Sequence, residues 1–111
     1  MYFHVLNDMP ELNAKPGVKI KEVSLNNVMM TFMEFEPQTV LPLHKHEHEQ
    51  ITVVIQGSAK FTVNGESKIL NAGDVCSIPS FIEHSVQIMD DFTIMYDSWS
   101  PVREDYLVKK D

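Results

Sequence analysis

The chain has 111 residues, 43% of them hydrophobic, with nine Lys and Arg against 16 Asp and Glu for a formal net charge of −7. That length suits one compact domain spanning 1–111, and the acidity excludes a nucleic-acid binder, which needs a clustered basic face. No apolar run reaches the ~20 residues of a membrane-spanning helix, which argues against a membrane partner. No charged-then-apolar leader opens the chain and the lone Cys76 lacks an internal disulfide partner, so a cytoplasmic protein is expected.

Residues up to Pro16 give no clear signal. Val18–Leu25 and Val28–Phe35 are β-branched and apolar runs split by the turn-forming pair Asn26-Asn27. Thr39–His46 follows Pro37, and Ile51–Ile55 precedes Gly57. Ala59, Phe61 and Val63 alternate with Lys60 and Thr62, which predicts one buried face. Asn64-Gly65 then predicts a type I′ hairpin into Ser67–Leu70. Val75–Ile78, His84–Met89 and Phe92–Trp99 complete the set, the last two joined at Asp90-Asp91. Roughly nine short strands without a long helical pattern predict an all-β barrel or two-sheet fold. The seven Met residues read as packing, apart from the initiator, and Cys76 as a packed thiol.

The chemistry concentrates in His44, His46, Gln50 and His84. Alternate residues of a strand share a face, so His44 and His46 present two imidazoles side by side, a common start to a metal site. Gln50 would lie about 13 Å beyond His46 on a straight strand. The chain must therefore turn through Glu47-His48-Glu49 to bring it back. His84 shares a face with Val86 and Ile88 and points inward. A lone buried histidine is best explained by a bond to a backbone carbonyl, but a His-X-His pair in the same chain favours a shared metal. His48 reads as an exposed turn residue, or as an alternative ligand paired with His46. Gln50 is either a neutral amide ligand, leaving the ion's charge uncompensated, or a simple hydrogen-bonding neighbour.

A third cluster runs Asp97-Ser-Trp99-Ser-Pro101-Val-Arg103-Glu-Asp105-Tyr106. Asp97 and Trp99 share a strand face, and Pro101 ends regular pairing and returns Arg103 across one opening of the barrel. An acid, a flat aromatic and a guanidinium on one rim suit an anionic sugar. An Asp97–Arg103 salt bridge closing the last strand, with Trp99 as a plug, fits the residues equally well.

His44-X-His46, three residues, Gln50, six residues, Gly57 resembles the first motif of the cupin superfamily, and Gly73-X5-Pro79-X4-His84 resembles the second. Gln50 stands for the usual Glu, and Phe81 for a usual Gly. The resemblance implies a jelly-roll barrel, or double-stranded β-helix, over about 18–100 with a tail at 101–111. The tail and the His-X-His-X-His-Glu-Gln run are similar to the pectin-degradation cupins of the KdgF type, which open the ring of 4,5-unsaturated uronates. That likeness implies metal ligands at His44, His46, Gln50 and His84, an acid/base at Asp97, an arginine at Arg103, and Trp99 in place of the family's Phe. It further implies one divalent transition metal ion (Zn, Ni, Mn or Fe), a small anionic sugar substrate and isomerase-type activity. An iron-dependent dioxygenase and a non-catalytic sensor are the rival readings. Single-domain cupins commonly pair two subunits, and a strand edge in the long first strands leads to the same expectation of a homodimer.

Overall fold

Alternating strands and polar turns organise the chain into ten antiparallel strands in a computed structural model that describes residues 2–107. They are β1 (Leu12–Lys15), β2 (Val18–Ser24), β3 (Met29–Phe35), β4 (Val40–His44), β5 (Glu49–Gln56), β6 (Ser58–Val63), β7 (Glu66–Asn71), β8 (Val75–Ile78), β9 (His84–Ile88) and β10 (Thr93–Ser100). A six-stranded sheet ordered β1-β2-β3-β10-β5-β8 faces a four-stranded sheet ordered β4-β9-β6-β7. This is the expected jelly-roll barrel.

The inner faces follow the period-2 rule. Val18, Ile20, Met33, Phe35, Val54 and Met95 of the large sheet meet Ala59, Phe61, Leu70, Val86 and Ile88 of the small one. The buried Met29, Met33 and Met95 confirm the packing role for these methionines. The Asn64-Gly65 turn has both residues at positive φ, 50° and 80°, as a type I′ hairpin requires.

Three details differ from the sequence reading. The ambiguous N-terminal stretch supplies β1, which pairs with β2, so the long strand Val18–Ser24 is not an edge. The strand expected to reach His46 stops at His44. Within it, pairing slips between Leu41↔Val86 and His44↔His84, a bulge that accommodates Pro42, a residue without an N–H. Third, Val63 is only half-buried at its hairpin end.

Candidate metal centre and acid pocket

Strand register builds the histidine cluster. His44 lies directly opposite His84 on β4 and β9, with ring centroids 4.2 Å apart. His46 sits in the loop beyond β4, yet its ring lies 4.7 Å from that of His84 and 5.6 Å from that of His44. The loop is held in place because the Phe81 N–H donates to the His46 carbonyl at 2.8 Å. Side-chain nitrogens of His44, His46 and His84 all lie within 4.8 Å of one another.

A common tautomer follows from the backbone. Nδ1 of His44, His46 and His84 lies 2.7, 2.9 and 2.8 Å from the carbonyls of Pro42, His48 and Ile82 respectively. Each Nδ1 must carry the proton, which leaves each Nε2 lone pair free. Burial lowers the pKa of both His46 and His84, keeping them neutral near pH 7. His84 Nε2 is buried without any hydrogen-bond partner. His46 Nε2 faces Gln50 Oε1 at 3.2 Å, so a neutral imidazole lone pair meets an amide oxygen, two acceptors side by side. That spacing suits two neighbouring ligands each about 2.1 Å from one ion. The residues therefore fit a divalent transition metal held by three imidazoles and one amide oxygen. His48 lies outside this group. It is half-buried, packing on His46 and Trp99 at 5.5 and 6.5 Å between ring centroids, not an exposed turn residue.

Asp97 lies on the inner face of β10, directly opposite Thr31 of β3 and Thr52 of β5. Thr31 Oγ1 donates to Asp97 Oδ2 at 3.1 Å, and Thr52 Oγ1 donates to Oδ1. Burial pushes the Asp97 carboxyl up to about 6, against the pull of Thr52, Thr31, Gln50 and Arg103. A carboxyl poised there can both take and give a proton near neutrality. One strand turn along, Trp99 Nε1 donates to Thr31 Oγ1 at 2.9 Å, and Gln50 Nε2 donates to Thr52 Oγ1 at 2.8 Å.

Arg103 does not bridge to Asp97. Its guanidinium makes a two-pronged contact with Asp105, at 3.2 and 2.7 Å, while stacking over Tyr106 and Trp99 at 4.0 and 4.9 Å. Burial would raise Asp105, but the Arg103 fork outweighs it and holds that carboxyl low. Trp99 is buried, so it plugs the barrel and also donates a hydrogen bond. A cavity of about 240 Å³ opens among His44, His84, Gln50, Asp97, Trp99 and Arg103. Lys15, Thr52 and Tyr106 also line it, with apolar side chains of the core behind them; Lys15, Thr31 and Thr52 carried no signal in the sequence. A larger, more open groove of about 430 Å³ beside Cys76, between β6, β7 and β8, contains none of these residues.

A two-sheet jelly roll with this histidine cluster is a cupin: residues 31–96 match the cupin domain family, and the chain belongs to it. Within that family it is similar to the pectin degradation protein KdgF of Dickeya dadantii (strain 3937), with 31% identity over 107 residues, 95% of this chain and 97% of that protein. The solved structure of KdgF from Halomonas sp. is 28% identical, with a TM-score of 0.90, covering 96% of this chain and 99% of that one. An RmlC-like cupin from Shewanella frigidimarina NCIMB 400 superposes with a TM-score of 0.91 at 25% identity, covering 96% of each chain.

Proposed function

We propose that this cupin is a metal-dependent enzyme of polyuronate breakdown that opens the ring of 4,5-unsaturated uronates. The likeness to a pectin degradation protein over nearly the whole chain supports the pathway. The observation that carries the reading is Asp97, a buried carboxyl shifted to about 6 on the wall of a cavity also lined by His44, His84 and Arg103. At about 240 Å³ the cavity falls below the ~300–1,000 Å³ of drug-sized pockets, which suits one sugar ring and not an oligomer.

His44, His46, His84 and the Gln50 amide oxygen would hold the ion, which supplies positive charge and Lewis acidity toward a substrate oxygen. Arg103, held flat by Trp99 and Tyr106, presents a guanidinium to the substrate carboxylate. Asp97 takes the proton of the ring hydroxyl at the anomeric carbon. The bond from that carbon to the ring oxygen breaks, and Asp97 returns the proton to the vinyl carbon. The product is the linear keto acid, an isomer of the substrate. The half-buried free thiol Cys76 fits a reducing cytoplasm, and the reading includes a homodimer.

The test is loss of the unsaturated sugar's ultraviolet absorbance beyond its spontaneous decay, with metal in excess. The parent protein should accelerate it, and Asp97→Asn should lower the rate by ~10²–10⁴. An undiminished rate in Asp97→Asn would remove the acid/base assignment. No acceleration by the parent on any unsaturated uronate would remove the ring-opening reading. Oxygen uptake would point instead to the dioxygenase.

A further inference from the structure

An amide ligand raises a problem that a carboxylate does not. Either oxygen of a Glu can face a cation, but only one end of the Gln50 amide has a lone pair to offer. Something must hold the correct end inward, and the hydrogen-bond polarity around Gln50 shows what does so.

The polarity starts at Asp97, whose carboxylate accepts hydrogen bonds from Thr31 on one oxygen and Thr52 on the other. Thr52 has one hydroxyl proton and commits it to Asp97. Only lone pairs remain on Thr52 Oγ1, so the Gln50 atom 2.8 Å away must be the N–H donor, Nε2. With Nε2 fixed there, Oε1 is turned to His46 Nε2 at 3.2 Å. On the far side, Trp99 Nε1 occupies a lone pair of Thr31 and aims the Thr31 hydroxyl at Asp97 in the same way. The carboxylate is thus gripped from both neighbouring strands and cannot rotate to release Thr52.

We propose that Thr52 is a positioning residue that fixes the ligating face of Gln50, with Asp97 setting its polarity. Asp97 then serves the metal site as well as the substrate, through a relay of Thr52 and Gln50. The inference rests on the reading of the histidines and Gln50 as metal ligands. It explains why Gln50 can stand where cupins usually carry Glu: the orientation an amide lacks is supplied by the residue two positions along the same strand face.

The experiment is a Zn²⁺ titration against a chromophoric chelator, with thermal melts to establish that each variant is folded. Thr52→Val keeps the shape and removes the relay, and should weaken Zn²⁺ binding ~10–100-fold, the usual effect of losing a group that orients a ligand. Thr52→Ser keeps the hydroxyl and should bind close to the parent. In a Gln50→Ala background, Thr52→Val should cause no further loss. Should Thr52→Val fail to fold, Thr52→Ala, which makes room for water, carries the same expectation. Parent-like binding by folded Thr52→Val, with Gln50→Ala weakened, overturns the relay alone. An equal loss from Thr52→Val with and without Gln50 also overturns it, because the effect would then pass through the fold. A parent protein that binds no Zn²⁺ overturns the metal site itself.

Discussion

Asp97 is a buried charge whose environment can be read as a pH dependence. Its carboxyl has an ordinary pKa of 3.8 in the unfolded chain and about 6 in the folded one, chiefly from burial. A raised value means the folded state holds its proton more tightly. The stability this contributes is complete below pH 4 and is lost as pH rises through 6. The difference corresponds to about 3 kcal/mol. In urea denaturation with a chelator present, the parent should therefore lose about 3 kcal/mol relative to Asp97→Asn between pH 4 and 7. The histidines are common to both proteins and cancel in that comparison. Parallel pH curves would contradict the burial argument. A sequence shows Asp97 and the histidines because short spacings and strand alternation place them. Thr31 and Thr52 stay hidden among ordinary strand threonines, since their role depends on cross-strand register across 66 and 45 residues. Arg103 went to Asp105, two residues away, because a local partner needs no register at all.

Loops decide how the strands deliver these side chains. Phe81 adopts φ +61°, a left-handed conformation that a bulky residue rarely takes, where cupins usually place Gly. Its N–H still clamps the loop bearing His46, so the strain persists at a functional junction. Phe81→Gly should relieve it and raise stability by about 1 kcal/mol, visible as a higher melting temperature, because the aromatic ring is largely exposed and contributes little packing. A fall in melting temperature would mean the ring packs on something that matters. Gly57 shows the opposite case: at φ +83°, an added Cβ would stand 2.3 Å from Thr93 Oγ1 and 2.8 Å from the Phe92 carbonyl. Gly57→Ala should destabilise by ~1–3 kcal/mol in the same melts. Most of the strands were legible from alternation and turn residues, with ends off by one or two positions. The end of β4 was missed because it depends on where pairing with β9 stops, at His44↔His84, and β1 because four residues, three of them exposed, carry no periodic signal.

At the scale of the whole molecule, each strand of the large sheet works on two faces. On β5, Gln50 and Thr52 point inward to the site, while Ile51 and Ile55 stand 54% and 42% exposed on the outside. Register extends that outer surface across neighbouring strands: Phe32, Tyr96, Val53 and Val75 form one row, and Met30, Ser98, Ile51 and Ser77 the next. The edge of this sheet beyond β2 is the short strand β1, which ends at Lys15 with Pro16 just after it, and this discourages edge pairing. The outer face is therefore the better surface for a second copy, and a two-fold pairing of identical faces is the simplest closed arrangement. The net charge of −7 opposes self-association but is weakest where the surface is apolar. Sedimentation at micromolar concentration should show a dimer, and Ile51→Glu should convert it to monomer by placing a charge on each side of the contact. Because Ile51 points away from the cavity, that variant should still bind Zn²⁺ as the parent does. Monomer alone for the parent would count against the homodimer, and loss of metal binding in Ile51→Glu would show that the two faces of β5 are not independent.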